Sequence, residues 1–139
     1  MRHVARQLIA NELEFSRDPS PARAGRAAFR VCEKLRQPLS AYAGAVGFRS
    51  LLRRAMSLAR AEHPVLAAFG VNDDGAISFP ADFETAPDTK ATAEAGEALV
   101  SQLLQLLETF IGETLTLRLV HEVWPAATAP VSKCPRKIA

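Results

Sequence analysis

The chain has 139 residues, 48% hydrophobic, 23% charged and 6% aromatic, with a formal net charge of +2. This length suits one core, and the composition is too apolar for a disordered chain. No run approaches the roughly 20 apolar residues of a membrane span, and MRHVARQLIANELEF lacks the apolar segment and cleavage site of a secretion signal, so the expected location is the cytoplasm.

Ala and Leu are abundant and aromatics few, a balance that favours helix over a sheet-based core. The first helix is expected from about Arg2 to Phe15, ended by Asp18-Pro19-Ser20-Pro21. Ser20 as N-cap and Pro21 at the first helical position start the second, which is expected to stop near Arg36 before Gln37-Pro38. Ser40 opens a stretch of small residues, AYAGAVGF, suited to a short helix or a tight helix contact. The third main helix spans about Gly47 to Glu62, with Phe48, Leu51, Leu52, Ala55 and Ala59 spaced to face the core.

Residues 65–87 are the least helical part. The runs Val65–Val71 and Ala76–Phe79 flank Asn72-Asp73-Asp74-Gly75, a turn with hairpin chemistry. The strongest helix follows, from about Thr89 to Ile111. Its Leu99, Leu103, Leu106, Leu107 and Phe110 belong to an apolar arc wider than an ordinary surface stripe. Such an arc marks either the centre of the core or half of an oligomer interface. Gly112 is a natural stop. Thr114–Trp124 alternates like a strand but has few partners for one, so helix is the better reading. Pro125 ends it. The segment 126–139 reads as a flexible, Pro-rich basic tail, leaving 1–125 as a single helical domain.

Charge is sorted by position. Residues 1–63 hold twelve Lys/Arg against five Asp/Glu, residues 64–124 hold two against ten, and the tail holds three cations and no acid. Arg23, Arg26, Arg30 and Lys34 share one face of the second helix, and Arg49, Arg53 and Arg60 share one face of the third. Either stripe suits nucleic-acid phosphates or another partner. The competing reading is a solvated face, or one met by the acids after residue 64. No aromatics interleave with the cations, as stacking on single strands requires.

Catalytic signatures are few. Cys32 falls on an apolar helix face and reads as a small core residue, and Cys134 as an exposed thiol in the tail; together they form no metal or disulfide framework. His3, His63 and His121 have no ligand-spaced His or Cys, so no metal is expected. His121 with Arg118 and Glu122 lacks a nucleophile motif and reads as a polar helix face. Aligning Gly75 with the glycine of a calcium loop puts Gly70 and Ala81 at the end positions, neither able to supply a carboxylate. No P-loop or G-x-G-x-x-G occurs, and no cofactor is expected.

The segment PLSAYAGAVGFRSLLRR loosely resembles the helix-turn-helix of AraC-type regulators, through Ala43, Gly47 and Phe48. Only Arg49 and Ser50 separate Phe48 from Leu51-Leu52, which puts the recognition helix out of phase. FRVCEKLRQPLSAYAGAVGFRSLLRRAMSLARAE and LLQLLETFIGETLTLRLVHEVWP together resemble a set of small bacterial proteins. That resemblance implies a stand-alone bacterial domain and carries over no catalytic or binding residue.

The resulting expectation is an all-α or mainly α compact bundle of about five helices with a short hairpin-like excursion near residues 65–80. The favoured function is a non-enzymatic interaction or regulatory module that self-associates through the Leu99–Ile111 helix. Its partner is a second copy or another protein. The alternatives are a DNA- or RNA-binding regulator using the arginine faces and an enzyme of unrecognised type.

Overall fold

A computed structural model of the chain describes residues 2–15, 23–81 and 90–125. It is mainly α-helical. The helices are α1 (Arg2–Phe15), α2 (Arg23–Glu62), α3 (Lys90–Ile111) and α4 (Glu113–Val123). A 3-10 turn (Pro64–Ala68) and two short strands, β1 (Gly70–Val71) and β2 (Ile77–Ser78), join α2 to the segment before α3. The Ser20-Pro21 helix start and the tail from residue 126 lie outside the described residues.

The helices follow their apolar spacing. Ala5 and Leu8 of α1 are buried, as are Val31, Leu35 and Leu39 in the first half of α2 and Phe48, Leu52, Ala55 and Ala59 in the second. Helix α3 is the hub, packing most extensively on α2 and also against α1, α4 and the 3-10 turn. Its Leu99, Leu103, Leu104 and Leu107 are almost fully enclosed. Burying one such leucine contributes about 1.5–3 kcal/mol, so these four are a main source of the bundle's cohesion.

The main departure from the sequence expectation lies between residues 36 and 47. The second helix and the short Ser40 segment join into one helix that runs to Ala43, and the third begins just past Gly44, so α2 is two helices meeting at a one-residue corner and the described residues hold about five helical arms, as expected. Pro38 does not end the helix; it sits inside it. Proline removes one i→i−4 bond but leaves φ near the helical value, so a helix anchored on both sides can pass through it. The break comes at Gly44, with φ 82° and ψ 160°, in a region only glycine enters at little cost.

Gly112 makes a second corner of nearly the same geometry, with φ 91° and ψ 158°. Its N–H closes α3 on Glu108 O at 2.9 Å, and its carbonyl opens α4 by accepting from Thr116 N at 3.1 Å. The buried Thr116 hydroxyl donates to the same carbonyl at 2.8 Å, satisfying a polar group that would otherwise be stranded. The ambiguous Thr114–Trp124 stretch is therefore helix.

The excursion near 65–80 is a hairpin preceded by a 3-10 turn. Its strands are antiparallel, with Gly70 opposite Ser78 and Val71 opposite Ile77. Asn72-Asp73-Asp74-Gly75 closes it: Gly75 N donates to Asn72 O at 3.0 Å, and Asp74 Oδ1 accepts from Ala76 N at 3.0 Å. Gly75 adopts φ +87°, and a Cβ there would sit 3.3 Å from the Phe48 ring.

Candidate functional site

Most of the basic residues singled out by spacing bond within the chain. Arg49 Nη1 donates to Asp73 O at 2.8 Å. Arg53 Nη2 reaches Val71 O at 3.3 Å and Asp73 Oδ1 at 3.1 Å. Arg60 spans two carbonyls, with Nε on Leu66 O at 3.3 Å and Nη2 on Phe69 O at 2.7 Å. Arg36, outside both predicted stripes, adds Nη1 to Asp74 O at 3.2 Å. The excursion from Leu66 to Asp74 has little regular pairing of its own, and these guanidiniums satisfy the carbonyls that its two short strands cannot. The forked donors of arginine suit this work better than a lysine would.

The other stripe converges on Glu12. This carboxylate is only 3% exposed. Its Oε2 accepts from Lys34 Nζ at 2.5 Å and from Trp124 Nε1 at 2.9 Å, and Arg30 Nε lies 3.6 Å from Oε1. A buried carboxylate is tolerable only when paired and hydrogen-bonded, and here donors from α2 and from the end of α4 meet an acid on α1. The node was not foreseen. Its signal was an acid on the apolar stripe Ala5, Leu8, Glu12. Arg26 is half-buried beside Phe29, while the side chain of Arg23 lies outside the described residues.

A cleft of about 360 Å³ opens between α2 and the hairpin, walled by Phe29, Leu52, Ile77 and Phe79 with Arg26 and Arg30 beside them. Phe29, Phe69 and Phe79 form a ring cluster there, with centroids 5.1–6.0 Å apart. Cys32 also borders this cleft but is buried, and burial, with the neighbouring Glu33 charge, pushes its thiol up to about 12. A thiol so held stays protonated near neutrality and is a poor nucleophile. No group of three or more His, Cys, Asp or Glu residues fit to hold a metal occurs among the described residues.

The apolar arc of α3 divides in two. Leu99, Leu103 and Leu107 are committed to the core of their own chain, at 0–1% exposure. Leu106 is half-buried, and Phe110 is 60% exposed. Next along the chain, Leu117 on α4 is 38% exposed, while Glu113 and Arg118 are exposed and make no ion pair among the described residues. A second uncharged surface lies at the Gly44 corner, where Tyr42 is 54% and Val46 62% exposed.

No described helix is long and apolar enough to cross a membrane. Comparison of the chain with protein-family models, curated proteins and solved structures finds no match to any of them.

Proposed function

We propose that the protein is a non-enzymatic interaction module that self-associates through the end of α3 and the start of α4. The observation that carries this reading is Phe110, a large aromatic side chain left mostly in water at the end of a helix whose Leu99, Leu103, Leu104 and Leu107 are enclosed. Exposed aromatics of this kind are typical anchors of protein interfaces. Leu106 lies one turn away and widens the apolar contact, and Leu117 adds to the same end of the chain. Glu113 and Arg118 give that end charges of both signs, so a twofold arrangement lets the acid of one copy meet the cation of the other.

The nucleic-acid alternative has less support. Arg49, Arg53 and Arg60 each commit one or two N–H groups to backbone carbonyls, which fixes their guanidiniums against the excursion although it leaves their charge, and Lys34 is held by Glu12.

Light-scattering chromatography across protein concentration and salt, with and without duplex DNA, tests the reading. The native chain should dimerise in the micromolar range and Phe110→Ser should run as a monomer with unchanged helicity. A native chain that stays monomeric there overturns self-association, and salt-dependent co-elution with DNA would favour the alternative.

A further inference from the structure

The corner at Gly44 folds α2 back on itself. Cys32 and Leu52 border the same cleft, and Arg36 and Phe48 both come within 3.5 Å of where a side chain on Gly75 would begin. The two halves of α2 therefore lie side by side as a helical hairpin. Hairpins of this type ordinarily use a loop of about two to five residues. Here one residue, Gly44, leaves helical geometry, and the residues on both sides of it are already helix.

A second observation points the same way. A Cβ built on Gly47 would sit 2.9 Å from the Cβ of Ala43. On an uninterrupted helix, residues four apart keep their Cβ atoms about 5–6 Å apart. The bend therefore demands glycine at both positions, whereas a straight helix would be stabilised by alanine at either. All that separates the bent form from a continuous helix is the backbone of one residue.

Straightening would carry residues 2–43 away from the rest, uncovering Leu8, Phe29 and Leu35 on one side and Phe48, Leu52 and Leu99 on the other. Every one of these contacts can be remade, unchanged, with a second copy. We propose that Gly44 is a hinge through which two copies exchange residues 2–43, giving an intertwined dimer. Exchange about a short hinge is a low-cost route to a dimer because the interface already exists within the monomer. The Phe110 surface plays no part in it, so the two modes stand or fall separately.

The exchanged dimer has its own signature. Arg6 Nε and Glu97 Oε1 are 3.0 Å apart within one chain; after exchange, Arg6 of one copy lies beside Glu97 of the other. Chains carrying Arg6→Cys and chains carrying Glu97→Cys, both with Cys134→Ser, are mixed, concentrated in sub-denaturing urea, returned to buffer and treated with a short bismaleimide. The buried Cys32 stays unreacted. A cross-linked heterodimer is expected, and its absence overturns the hinge. In parallel, Gly44→Ala and Gly47→Ala should each move the monomer–dimer ratio by about tenfold or more toward a dimer that survives dilution and is not dispersed by Phe110→Ser. Variants that remain monomeric, folded or not, also overturn it.

Discussion

Removing the Glu12 carboxylate tests whether one buried acid joins three parts of the chain. In Glu12→Ala the Trp124 Nε1–H, now bonded at 2.9 Å to a charged acceptor, loses its partner inside a site where Trp124 is only 3% exposed. A hydrogen bond to a charged group contributes about 1.5–3 kcal/mol, and leaving the donor stranded forfeits most of it. The Lys34 and Arg30 side chains are 48% and 31% exposed, so water recovers much of what they lose and their pairs are discounted to about 1 kcal/mol together. Removal also relieves the desolvation of a buried carboxylate, which offsets part of the loss. The expected net cost is about 2 kcal/mol, or roughly 8 °C in Tm for a chain of this size.

Trp124 is the sole tryptophan, so its fluorescence reports this node directly during urea unfolding, with circular dichroism following the helices. Trp124→Phe keeps an aromatic ring but loses the donor and part of the buried indole volume, and should cost about 1–3 kcal/mol, read by circular dichroism because the fluorophore is gone. Because both changes break the same bond, the double variant should be less destabilised than the two added together, by about 1 kcal/mol. A Glu12→Ala cost below ~0.5 kcal/mol, or strict additivity, would refute the account.

Gly75→Ala must place a Cβ 3.3 Å from the Phe48 ring at φ +87°, and should lose about 1–3 kcal/mol in chemical denaturation. Arg60→Ala strands the Phe69 carbonyl, while Leu66 O keeps its bond from Phe69 N at 3.0 Å, and should cost about 1–2 kcal/mol, whereas Arg54→Ala, exposed and without a side-chain bond among the described residues, should stay within ~0.5 kcal/mol. In a Cys134→Ser background, Ellman's reagent at pH 8 should label Cys32 only as fast as the protein opens. Because the folded thiol is raised from its ordinary 9.0 to about 12, the stability it contributes is fully present below pH 9 and is lost as pH climbs toward 12. A melting temperature that rises over that interval would contradict the sign.

Much of the helical content was legible because periodicity reports burial directly. The stripe of Phe48, Leu52, Ala55 and Ala59 is buried as its spacing demands, and Gly112 stops α3 because its φ is left-handed. The misreading came where two local signals compete. Gln37-Pro38 carries the stronger statistical weight for a helix end, yet the break falls six residues later, at Gly44. Proline's penalty is local and can be absorbed by packing on both sides, while the reversal needs a φ that only glycine adopts at little cost. The candidate sites were less legible for another reason. A periodic row of arginines looks the same whether it faces phosphate, carboxylate or carbonyl, and the partners of Arg49, Arg53 and Arg60 are backbone atoms, which leave no mark in composition.

That distinction changes what the sorted charge means. A guanidinium bonded to a carboxylate loses most of its field, but one bonded to a neutral carbonyl keeps it. Of the α2 cations, Lys34 is neutralised by Glu12, and Arg53 meets Asp73, whose side chain is 97% exposed and so screens weakly. Arg49 and Arg60 meet only carbonyls among the described residues, and Arg54 meets nothing there. On the other side Glu97 is balanced by Arg2 and Arg6, yet Glu108, Glu113 and Glu122 make no ion pair among the described residues. The positive character of α2 and the negative character of α3–α4 therefore survive folding instead of cancelling. A twofold contact at Phe110 brings two of these negative ends together, a repulsion that acts on the rate of encounter more than on final affinity and is offset only locally where Glu113 faces Arg118. Association by the Phe110 surface should accordingly quicken as salt rises while its dissociation rate stays nearly constant. The exchange about Gly44, limited by opening of the hairpin rather than by encounter, should be far less sensitive to salt.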